Sequence, residues 1–357
     1  MLAISHANLS ELGHTRTADA EAARTPRRFV PRLRRRSKLG GYIPRPMPLS
    51  LRFLGTSASR PTVERGVSSM ALTREGETLL FDCGEGTQRQ MMRYGVSFNF
   101  GDVFFSHFHT DHYLGIIGLL RTMALQGRTE LLRVWGPRGA SRTMKKCESL
   151  GTDRLTFPLE VTELAPGDVV RRKEYEIQAI GADHRGAAAL GWALVEDTRR
   201  GRFNPERARE LGIPEGPLWG RIHRGESIVL EDGREVHPGE LVGVTRPGRR
   251  IVITGDTRPC DATRVAAEGA DLLVHEATFG DEEHERAIET GHSTAREAAG
   301  IARQAGVLRL VLTHLSARYT RDVSDLEREA RSVFPQTIIA RDGLEVDVPF
   351  RDAEAEA

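Results

Sequence analysis

The residues best equipped for chemistry lie in one hexapeptide, His107-Phe108-His109-Thr110-Asp111-His112. Imidazoles and carboxylates at this density are the ligands that a borderline metal such as zinc takes in proteins. An apolar, β-prone run precedes them, so His107 and His109 should leave a strand on the same side, while Asp111 and His112 open the next element. A His-rich surface loop is the alternative interpretation, but it does not explain the clustering of ligands.

Further side chains with metal-binding atoms follow apolar strands that the sequence predicts elsewhere. Each comes just after a strand: His184 after 175–180, Asp256 after 250–254 and His314 after 309–313. Taken singly, each would more often be a structural histidine or a capping aspartate. Because strand ends deliver their side chains to the edge of a sheet, several strands that end at one edge favour a shared site.

Five histidines and two aspartates are too many ligands for one tetrahedral zinc, but they suit two metals that share a carboxylate and a bridging water. We predict this dinuclear centre: His107, His109 and His184 at one metal, Asp111, His112 and His314 at the other, and Asp256 as the bridge. Two cations ~3.5–4 Å apart deprotonate a water near neutral pH and neutralise a phosphoryl transition state. Asp111 can also orient that water or accept its proton. The predicted chemistry is hydrolysis of an ester or phosphodiester, with the substrate left open.

Alternating strands and helices must position these ligands, which indicates an α/β fold. The pattern predicts strands at 49–54, 70–73, 78–82, 102–106, 131–135, 175–180, 190–195, 250–254, 271–274 and 309–313. It predicts helices at 112–126, 138–150, 261–268, 294–305 and 323–333.

The bulk composition is that of an ordinary globular chain, with 357 residues, 39% hydrophobic and 28% charged. No apolar run approaches the ~20 residues of a membrane span, so no membrane partner is expected. The cysteines, Cys83, Cys147 and Cys260, are widely spaced, which favours a reducing cytoplasm over a disulfide framework. None forms a CxxC pair, so histidine and aspartate must build the metal site.

Residues 1–46 differ from the rest of the chain. They carry ten Lys/Arg against three acidic residues and show no hydrophobic period, which predicts a disordered Arg-rich extension. A targeting peptide or a nucleic-acid-binding tail are alternatives, but we favour an early start codon, with Met47 beginning the folded protein. The remaining chain has 41 basic and 47 acidic residues, so any polyanion must be held by local basic patches and the metals. We expect one domain over 47–350 and a short tail at 351–357.

Residues 196–247 interrupt the alternation of strands and helices. The stretch is rich in glycine, proline and charge, and it is long for a plain loop. Its part from 199 to 224 carries seven arginines against three glutamates. We interpret it as an inserted arm that grips a substrate, with a solvated charged loop as the alternative.

The chain resembles the metallo-β-lactamase superfamily and, within it, the ribonuclease Z family of tRNA 3′-processing endonucleases. The resemblance extends from Leu51 to about Val346. Besides the metal motif it rests on Phe53–Ser57 with Pro61-Thr62, Phe81–Gln88, Thr254–Pro259, His275–Thr278, Gly291–Thr294, Thr313–Tyr319 and, in the arm, Leu211–Gly220. The metal motif alone identifies only the superfamily, whereas the arm and the segments around His292 and Arg318 are more specific.

The resemblance implies an αββα sandwich with an inserted flexible substrate-binding arm and two Zn²⁺ per subunit, with Mn²⁺ as a possible substitute. It implies cleavage of precursor tRNA just past the discriminator base, leaving a 3′-hydroxyl. The family usually acts as a homodimer in which one subunit's arm can hold tRNA for the other's active site. Asp111 would be the proton acceptor, and His292 would lie near the scissile phosphate, although Ser293-Thr294 also has the pattern of a helix cap.

Substrate contacts follow from the same resemblance. Arg318 would bind a phosphate bidentately. Sequence-independent, salt-sensitive contacts to folded RNA would come from arginines of the arm: Arg199, Arg200, Arg202, Arg207 and Arg209.

Two positions depart from the family pattern. Thr110 replaces a common glycine but is not a ligand, and Gly66 follows Arg65 where asparagine is expected, which weakens any side-chain contact from that loop to RNA. A small-molecule phosphodiesterase or arylsulfatase-like hydrolase of the superfamily is the alternative enzyme, and it would not need the arm. A non-catalytic RNA-binding member is a further alternative, against which the complete ligand set argues.

Overall fold

The first strand shows how alternating residues build the sheets. In β1 (Leu49–Gly55), Leu49, Leu51 and Phe53 are buried, while the residues between them are half-exposed. This period of two turns one face of the strand toward the protein core.

The computed structural model describes residues 48–150 and 154–351, and within them two seven-stranded sheets form the centre of an α/β fold. The other strands are β2 (Ser69–Arg74), β3 (Glu77–Phe81), β4 (Asp102–Phe104), β5 (Leu132–Gly136), β6 (Leu159–Glu163), β7 (Val169–Arg171), β8 (Tyr175–Gly181), β9 (Leu190–Glu196), β10 (Ile228–Val229), β11 (Glu235–Val236), β12 (Arg250–Ile253), β13 (Leu272–Glu276), β14 (Leu310–Thr313), β15 (Thr337–Ile339) and β16 (Glu345–Asp347). The first sheet has the order β16-β1-β2-β3-β4-β5-β6, and the second has the order β15-β14-β13-β12-β9-β8-β7. The predicted extension 1–46, the proposed start at Met47 and residues 352–357 of the predicted tail lie outside the described residues.

Helices outside the arm cover the outer face of each sheet, and two more helices lie within the arm. They are α1 (Thr87–Tyr94), α2 (Thr110–Tyr113), α3 (Gly115–Leu125), α4 (Ala140–Ser149), α5 (Pro205–Glu210), α6 (Pro217–His223), α7 (Asp261–Ala266), α8 (His284–Thr290), α9 (Ala295–Ala305) and α10 (Ser324–Val333). Apolar side chains of α1, α3 and α4 share a core with the first sheet, and those of α9 and α10 share a core with the second.

A third core lies between the two sheets. There, Phe104 of β4 meets Trp192 of β9 edge to face, with ring centroids 5.2 Å apart. The layers therefore follow the order helix, sheet, sheet, helix. This is the αββα layering that the sequence analysis expected.

Parallel pairing explains why functional loops gather at one edge. Strands β3 to β6 run parallel in the first sheet, and β12 to β15 run parallel in the second. Carboxyl ends of parallel strands face the same edge, so the loops after β4, β12 and β14 open side by side.

The predicted elements differ from the structure in particular places. The predicted helix 112–126 is two helices, α2 and α3, joined at Leu114. The sequence pattern also misses α1 and the strands β6, β7, β15 and β16. These strands are only three to five residues long, too short for a repeating pattern of buried and exposed residues to stand out from the surrounding sequence.

The arm is a small folded unit, although its sequence is dominated by turn residues and charge. Helices α5 and α6 and the β10–β11 hairpin surround a core of Ala208, Ile213, Ile222, Ile228, Val236 and Leu241. At its root the backbone amides of Arg199 and Arg246 each donate to the other residue's carbonyl, at 2.7 and 2.8 Å. The arm therefore leaves and rejoins the sandwich at adjacent points.

None of the helices within residues 48–150 and 154–351 has both the length and the apolar character needed to cross a bilayer. Cys83 and Cys147 are buried and Cys260 is half-buried, and all three thiols are free.

Candidate metal centre

The seven predicted ligands come from four loops at the shared edge of the sheets. His107, His109, Asp111 and His112 follow β4, with the last two on the short helix α2. His184 follows β8, Asp256 follows β12 and His314 follows β14.

The ligands form two groups. The nitrogen and oxygen ligand atoms within each group lie within 4.8 Å of one another: His107, His109, His184 and Asp256 in the first, and Asp111, His112 and His314 in the second. In the first group Nε2 of His184 is 3.1 Å from Nδ1 of His109, and in the second Nε2 of His314 is 3.2 Å from Oδ2 of Asp111.

Asp256 lies between the groups. Its Oδ2 is 3.6 Å from Nε2 of His107 and 3.2 Å from Nε2 of His112, and its Oδ1 is 3.4 Å from Nε2 of His314. Oδ2 therefore approaches both groups and Oδ1 approaches the second, so this one carboxylate is within reach of both, as a ligand shared by two metals must be.

Two buried atoms test whether a metal fits here. Nε2 of His107 and Oδ1 of Asp256 are buried without any hydrogen-bond partner. Leaving such atoms unsatisfied costs about 1–3 kcal/mol each, and the cost is larger for a charged group. Both atoms point into the cluster and are good metal ligands, so the donor set fits bound cations.

The protonation states also fit a cation site. Burial, followed by the neighbouring His112, lowers the pKa of His107 well below its usual range and so favours the neutral imidazole that binds metals. Burial alone would lower the pKa of His112, but Asp256 and Asp82 raise it well above its usual range. Burial would raise the pKa of Asp256, but His112 and His314 lower it well below its usual range. In the metal-free protein the proton on His112 supplies positive charge that a bound ion would otherwise provide.

Residues behind the ligands fix the orientation of their rings. Oδ2 of Asp82 is 2.7 Å from Nδ1 of His112, and the backbone amide and hydroxyl of Ser106 donate to the same carboxylate at 2.8 and 2.9 Å. Nδ1 of His184 donates to the carbonyl of Gly291 at 2.8 Å, and the hydroxyl of Thr278 is 3.0 Å from Nδ1 of His314. Such contacts settle which ring nitrogen faces the metal.

The sequence analysis did not identify Asp82 or Thr278 as part of the site. A usable signal existed for Asp82, because it is an acidic residue at the end of the predicted strand 78–82, much as Asp256 comes just after the predicted strand 250–254. Asp82 and His314 also adopt left-handed backbone conformations, with φ of 55° and 56°. Such conformations cost about 1–3 kcal/mol in residues other than glycine and are concentrated at functional sites.

Two glycines bring the ligand helix α2 against the loop after β3. A Cβ on Gly115 would lie 1.9 Å from the carbonyl oxygen of Gly84, and a Cβ on Gly84 would lie 2.2 Å from the carbonyl oxygen of Asp111. Only glycine permits these backbone contacts, which set the position of Asp111 and His112.

His292 lies beside the second group of ligands. Its Nδ1 is 2.8 Å from Oε1 of Glu276 and 3.9 Å from Oδ2 of Asp256. Burial alone would lower the pKa of His292, but the Glu276 carboxylate raises it to about 9. Thr294 caps α9, as the Ser293-Thr294 pattern predicted: its hydroxyl accepts from the amide of Glu297 at 3.2 Å, and His292 lies two residues before that cap.

Glu276 is a further residue that the sequence analysis missed. It is almost fully buried at the end of β13, and it accepts the amides of Thr257, Thr278 and Ser293 at 3.0–3.1 Å. Burial alone would raise the pKa of Glu276, but the charge and hydrogen bond of His292 lower it, so the carboxylate is ionised beside the ring.

The arginines that the sequence analysis predicted to contact RNA lie in different parts of the structure. Arg318 follows β14 on a short 3₁₀ turn and pairs with Glu283. Arg199 stacks on Phe350 at the root of the arm, with 3.4 Å from its guanidinium carbon to the ring centroid. Arg200 donates to the carbonyl of His223 at 2.8 Å.

Two further predicted contacts, Arg207 and Arg209, lie on α5 and pair with Glu210 and Glu215 at 2.8 and 2.7 Å. Arg202 is exposed near the root of the arm.

Comparison with protein families supports the assignment of the fold. A model described as Beta-lactamase superfamily domain matches residues 223–315, and a model described as Anti-Pycsar protein Apyc1 matches residues 49–145.

Curated relatives match over most of the chain. Ribonuclease Z of Gemmatimonas aurantiaca is 68% identical over 311 residues, which cover 87% of this chain and 99% of that protein. Ribonuclease Z of Myxococcus xanthus is 56% identical over 305 residues, which cover 85% of this chain and 99% of that protein.

Among solved structures, the short form of human tRNase Z matches with a TM-score of 0.62 and 28% identity over 84% of this chain and all of that one. The metallo-beta-lactamase fold protein YhfI from Bacillus subtilis matches with a TM-score of 0.61 and 19% identity over 84% of this chain and 99% of that one, a likeness of fold alone.

Proposed function

This chain belongs to the ribonuclease Z family, and from that premise we propose that it uses two zinc ions to remove the 3′ trailer from precursor tRNA. It is an endoribonuclease of tRNA 3′ processing. The proposed cut lies just past the discriminator base and leaves a 3′-hydroxyl on the tRNA. The observation that carries the proposal is the pair of ligand groups joined by Asp256, with buried, unsatisfied ligand atoms directed into them.

The first ion would be held by His107, His109 and His184, the second by Asp111, His112 and His314, and both by Asp256. Bound there, the ions would polarise the scissile phosphodiester and acidify a water molecule. Zinc suits this set of nitrogen and carboxylate ligands, and manganese is a possible substitute.

Asp111 is the proposed proton acceptor. Its Oδ2 accepts the backbone amide of Ser59 at 2.7 Å, which fixes the carboxylate at the edge of the cluster. Burial alone would raise the pKa of Asp111, but the hydrogen bond and charge of His314 hold it below its usual range. The group is therefore ionised at neutral pH and orients the attacking water, taking its proton as the new oxygen–phosphorus bond forms.

His292 is the proposed proton donor to the leaving 3′-oxygen. Its Nδ1 faces Glu276, so Nε2 is the ring nitrogen available to substrate. A pKa of about 9 keeps the ring protonated at neutral pH, which is the form a general acid needs.

The arm is the proposed tRNA-binding element, and it separates this function from that of a small-molecule phosphodiesterase or arylsulfatase-like hydrolase. Its arginines would hold the RNA backbone, and Arg318 would contact a phosphate nearer the cut, by exchanging their present partners for phosphates. Because Arg199 and Arg246 pair at the root, residues 200–245 can be replaced by Asn-Gly, a two-residue hairpin turn, with little strain on the sandwich.

Replacing residues 200–245 by Asn-Gly distinguishes a tRNA nuclease from a hydrolase of small molecules. For a tRNA nuclease, precursor tRNA binding should fall steeply while hydrolysis of bis(p-nitrophenyl) phosphate persists. An enzyme for small substrates would keep its full activity on its natural substrate, and equal tRNA cleavage with and without the arm would contradict the proposal.

We further propose that the protein acts as a homodimer in the cytoplasm. The free thiols suit a reducing compartment. Mixing an Asp111→Asn subunit with an arm-deleted subunit tests the dimer, because cleavage returns only if the arm of one subunit serves the active site of the other. Sedimentation as a monomer at assay concentration, with full activity, would contradict it.

The main test is cleavage of a precursor tRNA with a 3′ trailer, combined with metal analysis. We expect about two zinc ions per chain, loss of cleavage on chelation, and recovery with Zn²⁺ or Mn²⁺. The product should end in a 3′-hydroxyl at the discriminator nucleotide. Absence of cleavage with both metals would refute the proposed function.

A further inference from the structure

A cleft of about 670 Å³ opens beside the first ligand group. His107 and His109 line it together with Phe108, and residues just before and within the first turn of α4 form another part of its wall. Two of those residues, Arg138 and Arg142, are exposed arginines. The metal-binding histidines and a pair of guanidinium groups therefore border one space.

The two arginines are free to bind a ligand. Within residues 48–150 and 154–351, neither guanidinium forms an ion pair within 4.0 Å, donates to a carbonyl or lies over an aromatic ring, although the charge of Arg138 acts on the nearby carboxylate of Glu163. Arginines of the arm differ in this respect, because Arg207 and Arg209 already pair with glutamates. An unpaired guanidinium can take a phosphate without first breaking an ion pair.

The rest of the wall also suits an anion. Glu163 is the one acidic residue among the described residues that line the cleft, and its Oε1 accepts the backbone amide of Ser141 at 3.0 Å. That carboxylate thus serves as a cap for α4, and it offsets part but not all of the arginine charge. Phe108, Ala187 and Ala188 supply an uncharged wall against which a ribose or base can pack.

We propose that Arg138 and Arg142 bind a backbone phosphate of the RNA strand next to the scissile phosphate. The inference rests on the proposed function, since it requires an RNA strand across the metal centre. An RNA strand whose scissile phosphate lies between the two ligand groups must pass over one wall of the site. The wall that contains Arg138 and Arg142 carries the positive charge that can hold it. The arginines are positioning residues that fix the strand's register without reading its sequence.

The first experiment measures the kinetics of Arg138→Gln, Arg142→Gln and the double variant. On precursor tRNA, kcat/KM should fall about tenfold for each single change, because each removes a charge-assisted hydrogen bond. Hydrolysis of bis(p-nitrophenyl) phosphate should be unchanged, since that substrate has no second phosphate. The slope of log binding constant against log salt should become shallower by about 0.7–0.9 per arginine removed.

Arg303→Gln is the matched control. Like Arg142, Arg303 is an exposed arginine on a helix, but it lies in the last turn of α9. The other end of α9, at Ala295, is the end that follows His292, and Arg303 is roughly 12 Å along the helix from it. Its replacement should leave both substrates and the salt slope unaffected. Metal content and circular dichroism of each variant identify any loss of activity that is caused by misfolding.

A second experiment locates the phosphate. Precursor tRNAs are made with one phosphate at a time, within three nucleotides of the cut, replaced by an uncharged methylphosphonate. In the unaltered protein one replacement should raise KM, and in the double variant the same replacement should have no further effect. The inference is overturned if every replacement has equal effects in the two proteins, or if the variants cleave precursor tRNA normally. Absence of cleavage by the unaltered protein would refute the proposed function itself, a separate outcome.

Discussion

Oδ2 of Asp82, at the end of β3, lies 2.7 Å from Nδ1 of His112, on the helix after β4. The carboxylate directs the other ring nitrogen, Nε2, toward Asp111, Asp256 and His314. Two neighbouring parallel strands thus combine to orient one ligand.

Asp82→Asn should lower metal affinity by about 10–100-fold, which is the usual effect of removing a partner that holds a ligating histidine. Competition with a chromophoric chelator measures the affinity. Asp102→Asn is the control, because Asp102 is another buried aspartate of the first sheet but accepts from Trp135 Nε1 at 2.7 Å, away from the ligands. Equal metal affinities in the two variants would show that Asp82 has no such role.

Gly115→Ala should displace the ligand helix, because the new Cβ would lie 1.9 Å from a backbone carbonyl. We expect destabilisation by about 1–3 kcal/mol or more, together with weaker metal binding. Gly118→Ala is the matched control, because Gly118 lies on α3 together with Gly115. Its Cβ would meet only the flexible side chain of Gln88, at 3.4 Å, so it should be neutral or stabilise by up to about 1 kcal/mol. Urea unfolding and metal analysis test both; a stable, metal-loaded Gly115→Ala protein would contradict the prediction.

His292 should titrate near pH 9 in the metal-free protein. Because this pKa is above the unfolded value of about 6.5, protonation stabilises the fold fully below about pH 6.5, and the stabilisation is lost as the pH rises through 9. In Glu276→Gln burial remains but the carboxylate that raises the pKa most is gone, so the pKa of His292 should fall. NMR titration of the His292 ring measures both proteins, and an unchanged pKa in the variant would exclude Glu276 as the cause.

Glu196 should contribute strongly to stability, because it is buried at the end of β9 between two arginines. Its Oε1 accepts from Arg74 at 2.8 Å and from Arg249 at 2.7 Å. Glu196→Gln leaves both guanidinium groups without that charge and should cost about 3–5 kcal/mol at pH 7. Denaturant unfolding measures the loss. Glu176→Gln, which removes a partially exposed partner of Arg171, should change stability by less than about 1 kcal/mol.

The stability lost in Glu196→Gln should depend on pH in a defined direction. Burial alone would raise the pKa of Glu196, but the hydrogen bonds and charge of Arg249 lower it. The stabilisation is therefore present above the unfolded pKa of about 4.3 and is lost as the pH falls through the lower folded value. The difference between the unaltered protein and Glu196→Gln should shrink in acid, and a difference that stays constant down to pH 3 would contradict the assigned ion pairs.

Much of the candidate site could be predicted because its signals are local. The hexapeptide 107–112 and the residues that follow strands 175–180, 250–254 and 309–313 supply all seven candidate ligands from the sequence alone. Apolar runs likewise indicated most central strands, since burial on both faces requires them. The short edge strands β7 and β16 were missed, because half-exposed segments of three residues carry no periodic signal.

Contacts between distant segments were decided only by the tertiary structure. Asp82 supports His112, and Glu276 supports His292, through hydrogen bonds across 30 and 16 positions of sequence, and no local pattern specifies such partners. The folded core of the arm and the unpaired state of Arg138 and Arg142 likewise depend on which side chains the fold brings near. Residue type and spacing determined which chemistry the chain can perform, because each ligand atom belongs to a single residue. The orientation of the histidine rings, their protonation and the balance of charge around them depend on contacts between residues. Only the packed sheets create those contacts.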